Sequence, residues 1–336
     1  MTNSIFDNLF DKDALFIDRY AGNPKDAVDI IIPIINTNEL FERNLYNFYE
    51  RIPVNRLLIG DGGCTDKSVE IAQKFPRVQV FDHSDFSCLG KSIALLIESV
   101  KTDIFVYLHA DVFLPENWFE SMYKYKDKYD WYECGRRYTV LIDYDGQHNK
   151  IKDRAYSGSQ MGRKKAFSPF LEDIEDGFLQ RNEDIIFAEL IKSNGGRYGL
   201  VDETYHHHQL MDKRVGDGGA KASFGFSESK YDKVIVERSQ SDDWLKEVFT
   251  IQVRGLIKYC SPISPPNNYL VRHVNGAIAE LYKLNSLQFD DLLNWTKKEN
   301  PDWVRYLKNP EKYSFFELHL FVKRHGKKIL NFFQKK

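Results

Sequence analysis

The sequence predicts an α/β protein, with a mostly parallel sheet flanked by helices and a helical region after it. Three observations carry this. Short β-branched apolar runs alternate with amphipathic stretches from residue 28 to residue 108. Asn36, Asp61 and Asp111 follow three of those runs, at the carboxyl ends of parallel strands, where such sheets bind ligands. From about residue 231 the spacing is helical, broken by Ser261-Pro262 and Ser264-Pro265-Pro266. The expected division is an extension over 1–26, an α/β domain over 27–230 and a helical region over 231–336.

The extension ends in the turn-prone Gly22-Asn23-Pro24, and Ile5, Phe6, Leu9 and Phe10 form one face of a short helix. The run 28–34 (VDIIIPI) reads as a buried strand. Residues 39–50 place Leu40, Phe41, Leu45 and Phe48 on one helical face. A second strand over 56–60 leads into the loop Asp61-Gly62-Gly63-Cys64-Thr65-Asp66, with a helix over 67–75. A strand over 78–81, a helix over 90–100 and a strand over 104–108 complete the alternation. Strands are expected near 136–143, 155–161 and 197–201, and a helix over 183–194. The Gly-, Ser- and charge-rich segment 211–230 reads as a mobile loop. Helices are expected around Trp244–Ile251 and across 270–284, 288–297 and 314–333.

Composition narrows the classes. Of 336 residues, 42% are apolar and 29% charged, which is globular rather than disordered. A formal net charge of -2 supplies no basic field for nucleic acid. The four cysteines form no CxxC pair, which argues against a zinc site and fits a reducing compartment. Asp7, Asp11 and Asp13 stand where a secretory leader needs an apolar run. No stretch approaches the ~20 apolar residues of a membrane span. The expected location is cytoplasmic. The tail from Leu318 to Lys336 has no acids and interleaves Lys and Arg with Phe, Ile and Leu, so peripheral membrane contact is a second possibility beside ordinary packing.

Four segments carry chemistry. Asp61, before two glycines at a strand end, can accept a hydrogen bond from a base, or simply open a turn. Asp66 can cap the next helix. Asp111, after His109-Ala110, is placed to hold a hard cation such as Mg²⁺ or Mn²⁺, and imidazole nearby favours Mn²⁺; capping a helix near Pro115 is the other reading. Glu183 and Asp184 open a helix as dipole partners or as a general base. His206, His207 and His208 follow one another; on a strand His206 and His208 would share one face, as metal ligands or as a surface cluster.

In order and spacing, these segments over about residues 27–210 resemble the inverting glycosyltransferases of family 2, which have the GT-A fold, a Rossmann-like α/β architecture. Asp29-Ile30-Ile31-Ile32-Pro33 resembles that family's first strand, Gly60–Asp66 its Asp-Asp-Gly-Ser-Thr-Asp loop, and His109-Ala110-Asp111 its Asp-x-Asp metal motif. Gly90-Lys91-Ser92-Ile93-Ala94 sits at its small-residue helix start. Glu183-Asp184 matches its acceptor-site pair and His206–His208 its late histidine. The resemblance implies donor contacts from Pro33, Asn36, Asp61, Gly90, Lys91, His109 and Ala110. It implies a Mn²⁺ or Mg²⁺ site on Asp111 with His208, then His206, and Asp184 as base beside Glu183. The partners implied are a nucleotide-sugar, UDP-linked by preference, and a hydroxyl of a glycan acceptor, as in polysaccharide biosynthesis. Two departures stand out: His109 replaces the first Asp of the metal motif, and Gly60 the first Asp of the loop. The acceptor is expected over 135–184, with Trp131, Tyr132, Tyr138 and Tyr156 as candidate stacking rings beside core packing, the commoner role for any one of them, and 211–230 as a lid.

Two other readings are open. A sugar nucleotidyltransferase would carry a Gly-rich, basic loop after the first strand, but residues 34–39 (IINTNE) hold neither glycine nor base. A GT-A-like domain that only binds a nucleotide or a partner would fit the altered metal motif.

Overall fold

The structure is a computed structural model. It describes residues 14–20, 25–37, 40–85, 89–135, 137–142, 148–153, 158–174, 183–211, 242–262, 271, 274–278, 281 and 288–307. It forms two compact units, Met1–Ser241 and Asp242–Lys336. The boundary expected near residue 230, most of the expected lid and the basic tail lie outside the described residues, as does the predicted N-terminal helix. Met211, expected in the loop, closes a strand instead.

The first unit begins with β1 (Val28–Ile34), α1 (Phe41–Arg51), β2 (Val54–Asp61), α2 (Ser68–Gln73), β3 (Val78–Asp82), α3 (Leu89–Ser99) and β4 (Ile104–Leu108). Then come β5 (Val112–Phe113), α4 (Trp118–Tyr123), β6 (Trp131–Cys134), β7 (Arg137–Ile142), β8 (His148–Asp153) and β9 (Ser159–Arg163). The short α5 (Lys164–Phe167), α6 (Glu183–Ser193), β10 (Tyr198–Val201) and β11 (His206–Met211) complete it. The main sheet runs β10-β6-β9-β4-β1-β2-β3. Only β9 runs antiparallel to its neighbours, β4 and β6. A second sheet runs β5-β11-β7-β8.

The apolar runs form strands because both faces of the sheet are covered. Ile30, Ile31 and Ile32 are fully buried, as are Leu57, Leu58 and Ile59. Helix α1 buries Phe41, Leu45 and Phe48 against this sheet, the face that helical spacing predicts. Its Asn44 and Asn47 are also fully buried, on the same side, and their partners belong to the candidate site.

Asp29, at the amino end of β1, is fully buried and acts on the fold rather than on a ligand. Its carboxylate accepts hydrogen bonds from Asn55 Nδ2 (2.8 Å), the Lys101 amide (2.6 Å) and the Arg56 guanidinium. Asp29→Ala strands the guanidinium and an amide, and is expected to destabilise the unit by about 3–5 kcal/mol in urea unfolding.

Trp131 and Tyr132 are core residues, not sugar platforms. Trp131 is 1% exposed and Tyr132 fully buried. Trp131 stacks on Tyr107 and meets Phe167 edge-on. An aromatic strand residue in a doubly covered sheet has no open side. The side chain of Tyr138 and all of Tyr156 lie outside the described residues.

The second unit holds α7 (Asp242–Tyr259), α8 (Phe289–Glu299), a 3₁₀ turn (Pro301–Trp303) and α9 (Val304–Leu307). The indole N–H of Trp303 donates to the Cys260 carbonyl at 2.7 Å, capping the end of α7. No helix among the described residues is long and apolar enough to cross a membrane.

Candidate functional site

The carboxyl ends of β1, β2 and β4 lie side by side, so the segments after them share one edge of the sheet. Two strand spacings separate β2 from β4, about 10 Å.

On the β2 side, Asn36 acts as a brace. It adopts a left-handed backbone, φ 46°, which asparagine tolerates better than most residues. Its side-chain oxygen accepts from the amides of Thr65 (2.7 Å) and Asp66 (3.3 Å), and its Nδ2 donates to Thr65 Oγ1 (3.1 Å). Asp61 Oδ1 accepts from the amides of Gly63 (3.0 Å) and Cys64 (2.8 Å), folding the loop into a tight turn. Asp66 Oδ1 accepts from the Ser68 amide at 2.9 Å, at the start of α2. Asn36 and Asp61 thus shape the loop that holds them. Gly60 has a packing reason. A Cβ there would meet Ser92 Oγ at 2.6 Å and His83 Nδ1 at 2.8 Å, two atoms that hydrogen-bond each other at 2.6 Å. An aspartate at position 60 has no room. Burial pulls the His83 pKa down, against the opposing pull of Asp82 and Asp61, so the ring is neutral near pH 7.

Burial first, and then the Asp61 carboxylate, push the Cys64 thiol up to about 12. Its thiolate fraction at pH 8 is then about 10⁻⁴, against about a quarter for a free cysteine. Iodoacetamide labelling of Cys64 at pH 8, followed by peptide mass spectrometry, is expected to be about 10³-fold slower than for a free thiol.

Of the other expected donor contacts, Pro33 lies in β1 opposite Gly60. Gly90 is buried in α3, and the Lys91 ammonium donates to the Ile174 carbonyl at 2.9 Å.

On the β4 side, four contacts hold the segment His109–Leu114. The His109 amide donates to the Gly158 carbonyl at 2.9 Å. Asn44 Nδ2 donates to the Ala110 carbonyl at 2.8 Å. Asn47 exchanges two hydrogen bonds with the Leu114 backbone, at 3.0 and 2.7 Å. The strand β5 pairs antiparallel with β11, placing His208 opposite Val112 and therefore beside Asp111. Asn44 and Asn47 were not singled out from sequence. Their signal is amide side chains on the apolar face of α1.

His109, Asp111 and His208 converge, with one ligand atom of each within 4.8 Å of the others. His208 Nε2 stands 3.4 Å from Asp111 Oδ2. Metal–ligand bonds of about 2.0–2.2 Å place neighbouring ligand atoms roughly 3–3.5 Å apart, so the His208–Asp111 pair fits one ion. Burial would raise the Asp111 pKa, but His208, and then His109, outweigh it and hold the carboxyl well below its usual range. The carboxylate is ionised, as a hard-cation ligand must be. His109, expected beside the donor, joins the ligand group. His206, expected as a second late ligand, stands outside it. The ring shares β11 with His208, but its Nδ1 faces Ser159 Oγ (2.8 Å) and Cys134 Sγ (3.0 Å), buried partners on β9 and β6.

Tyr107, two residues before His109 on β4, links this group to α6. It is 1% exposed, and its ring lies 5.4 Å from that of His109. Burial, and then the charges of Glu183, Asp184 and Asp111, push its hydroxyl well above the usual range. Tyr107 is therefore a neutral hydroxyl close to three acids. Glu183 is buried, while Asp184 is half-buried. The period of two along β4 carries Tyr107 to the side of His109, the only sequence signal for it.

These features define an α/β domain whose His109, Asp111 and His208 could hold a metal ion at the carboxyl end of its sheet. Residues 29–185 match the model of glycosyl transferase family 2, and the segment belongs to that family. The parallel sheet with antiparallel β9 inserted beside β4 is its GT-A fold. No curated protein matches in sequence. Similar solved structures include bifunctional IspDF from Campylobacter jejuni, at 15% identity and TM-score 0.36 over 52% of this chain and 49% of that one. S. aureus TarS 1–349 in complex with UDP-GlcNAc aligns at 12% identity and TM-score 0.45, over 84% and 80%. GalNAc-T7 with UDP, GalNAc and Mn²⁺ aligns at 12% and 0.45, over 84% and 58%. The chain thus spans about half the length of the first of these.

Proposed function

We propose that this chain is an inverting glycosyltransferase that moves a sugar from a nucleotide-sugar, UDP-linked by preference, to a hydroxyl of a glycan or related acceptor, with a divalent cation. One observation carries the reading: the His109, Asp111 and His208 ligand atoms converge, and the charges of Asp111, Glu183 and Asp184 all act on the same buried Tyr107 hydroxyl. Asp184 takes the proton of the acceptor hydroxyl as its oxygen bonds to the anomeric carbon. The bond from that carbon to the diphosphate breaks on the opposite face, which inverts the anomeric configuration. A divalent ion bound to the three ligands would offset the negative charge of the departing nucleotide. Glu183 stays with Tyr107 and fixes the start of α6, leaving Asp184 toward the acceptor. The turn of Asp61 and the brace of Asn36 shape the place for the base.

Two imidazoles and one carboxylate favour Mn²⁺ over Mg²⁺, because nitrogen ligands suit the softer first-row ion. His109→Asp is expected to retain activity and to move the preference toward Mg²⁺. A screen of UDP-, GDP- and dTDP-sugars for metal-dependent hydrolysis tests the function. Hydrolysis of at least one donor with Mn²⁺, abolished by EDTA, is expected. No metal-dependent hydrolysis of any donor, together with no nucleotide binding, would remove the reading.

A further inference from the structure

Gly158 stands outside every motif that pointed to the site, yet it meets two of the three metal-competent residues, the backbone of His109 and the side chain of His208. Its carbonyl accepts the His109 amide at 2.9 Å, at the point where β9 begins beside the end of β4. On its other side, a Cβ would lie 3.0 Å from His208 Nδ1, 3.3 Å from His208 Cε1 and 3.3 Å from His206 Nε2. The backbone takes φ +104°, a region that residues with a Cβ rarely adopt. One residue therefore fixes the backbone of His109 and, by lacking a side chain, leaves the space that the His208 ring fills.

We infer that Gly158 is the positioning residue of the cation site, setting the His208 imidazole against Asp111 and the His109 backbone beside both. This rests on the reading of His109, Asp111 and His208 as ligands. The contact is on the Nδ1 side of His208, while Nε2 of the same ring faces Asp111 at 3.4 Å. At 3.0–3.3 Å a methyl group forces the ring to yield by a few tenths of an ångström. Metal–ligand distances hold to about 0.2 Å, so a shift of that size is felt at the ion. Groups that orient metal ligands typically carry about 10–100-fold in affinity.

The test is the affinity of the full chain for Mn²⁺, read from the loss of the free-ion electron paramagnetic resonance signal. Gly158→Ala is expected to weaken binding at least tenfold while its circular dichroism stays that of the folded protein. Gly195→Ala separates backbone strain from this effect. Gly195 also has a positive φ, +80°, but nothing lies within 4 Å of its Cβ position. It should lose stability and keep its affinity for Mn²⁺. Should Gly158→Ala not fold, the double variant Gly158→Ala/His208→Ala removes the ring that the methyl meets: recovered folding is expected, and a double variant no more stable than Gly158→Ala would overturn the contact. Asp111→Ala marks the underlying reading. If it binds Mn²⁺ as the wild type does, the ligand assignment fails. If it loses Mn²⁺ while a folded Gly158 variant keeps wild-type affinity, the inference about Gly158 alone is overturned.

Discussion

Asp184→Asn is expected to lower kcat by about 10²–10⁴ while donor binding stays near the wild-type value. The substitution keeps the shape of the side chain and removes the proton acceptor. Glu183→Gln should cost less in kcat and more in stability or acceptor binding, because Glu183 is buried beside the Tyr107 hydroxyl while Asp184 is half-buried. Successive helical residues point about 100° apart, so the two acids have different tasks. Single-turnover kinetics with an acceptor found after the donor screen measure both. Near-normal kcat for Asp184→Asn with a collapse for Glu183→Gln would exchange the roles, and normal kcat in both would take the pair out of the chemistry.

Asp111→Ala is expected to abolish Mn²⁺-dependent donor binding and turnover. The fold should persist, because the residue is about a third exposed and follows β4 rather than filling the core. The loss should be larger than that of His109→Ala or His208→Ala, since Asp111 contributes the anionic ligand. Calorimetric titration of donor with Mn²⁺ measures it, and thermal unfolding without metal separates it from misfolding. Wild-type turnover at saturating donor in Asp111→Ala would place the site elsewhere.

The first four strands and the helices between them were legible because their signals are local. Each is a short apolar run or a face repeating every three or four residues, and α1 and α3 bury the side expected. What joins distant segments was not legible. The two-residue β5 has no periodicity, yet its pairing with β11 brings His208 to Asp111 across nearly a hundred residues of chain. β8 (HNKIKD) lacks an apolar run and was missed. Whether Trp131 and Tyr132 packed the core or stacked on a sugar was open from sequence, since an aromatic on a strand looks the same whether its face is open or covered, and both pack the core. Gly60 looked like a lost acid, and only the His83–Ser92 pair explains it. Gly158 carried no signal at all, because its task depends on two side chains from β11 and on a backbone amide just after β4, all distant in sequence.

The most direct measurement is an isothermal titration of the wild-type protein with UDP, with and without Mn²⁺. Binding that tightens at least tenfold with the metal is expected, because the diphosphate and the His109, Asp111 and His208 ligands would share one ion. Equal affinity in both titrations, or no binding of UDP, GDP or dTDP under either condition, would contradict a cation-assisted nucleotide site at the end of β4.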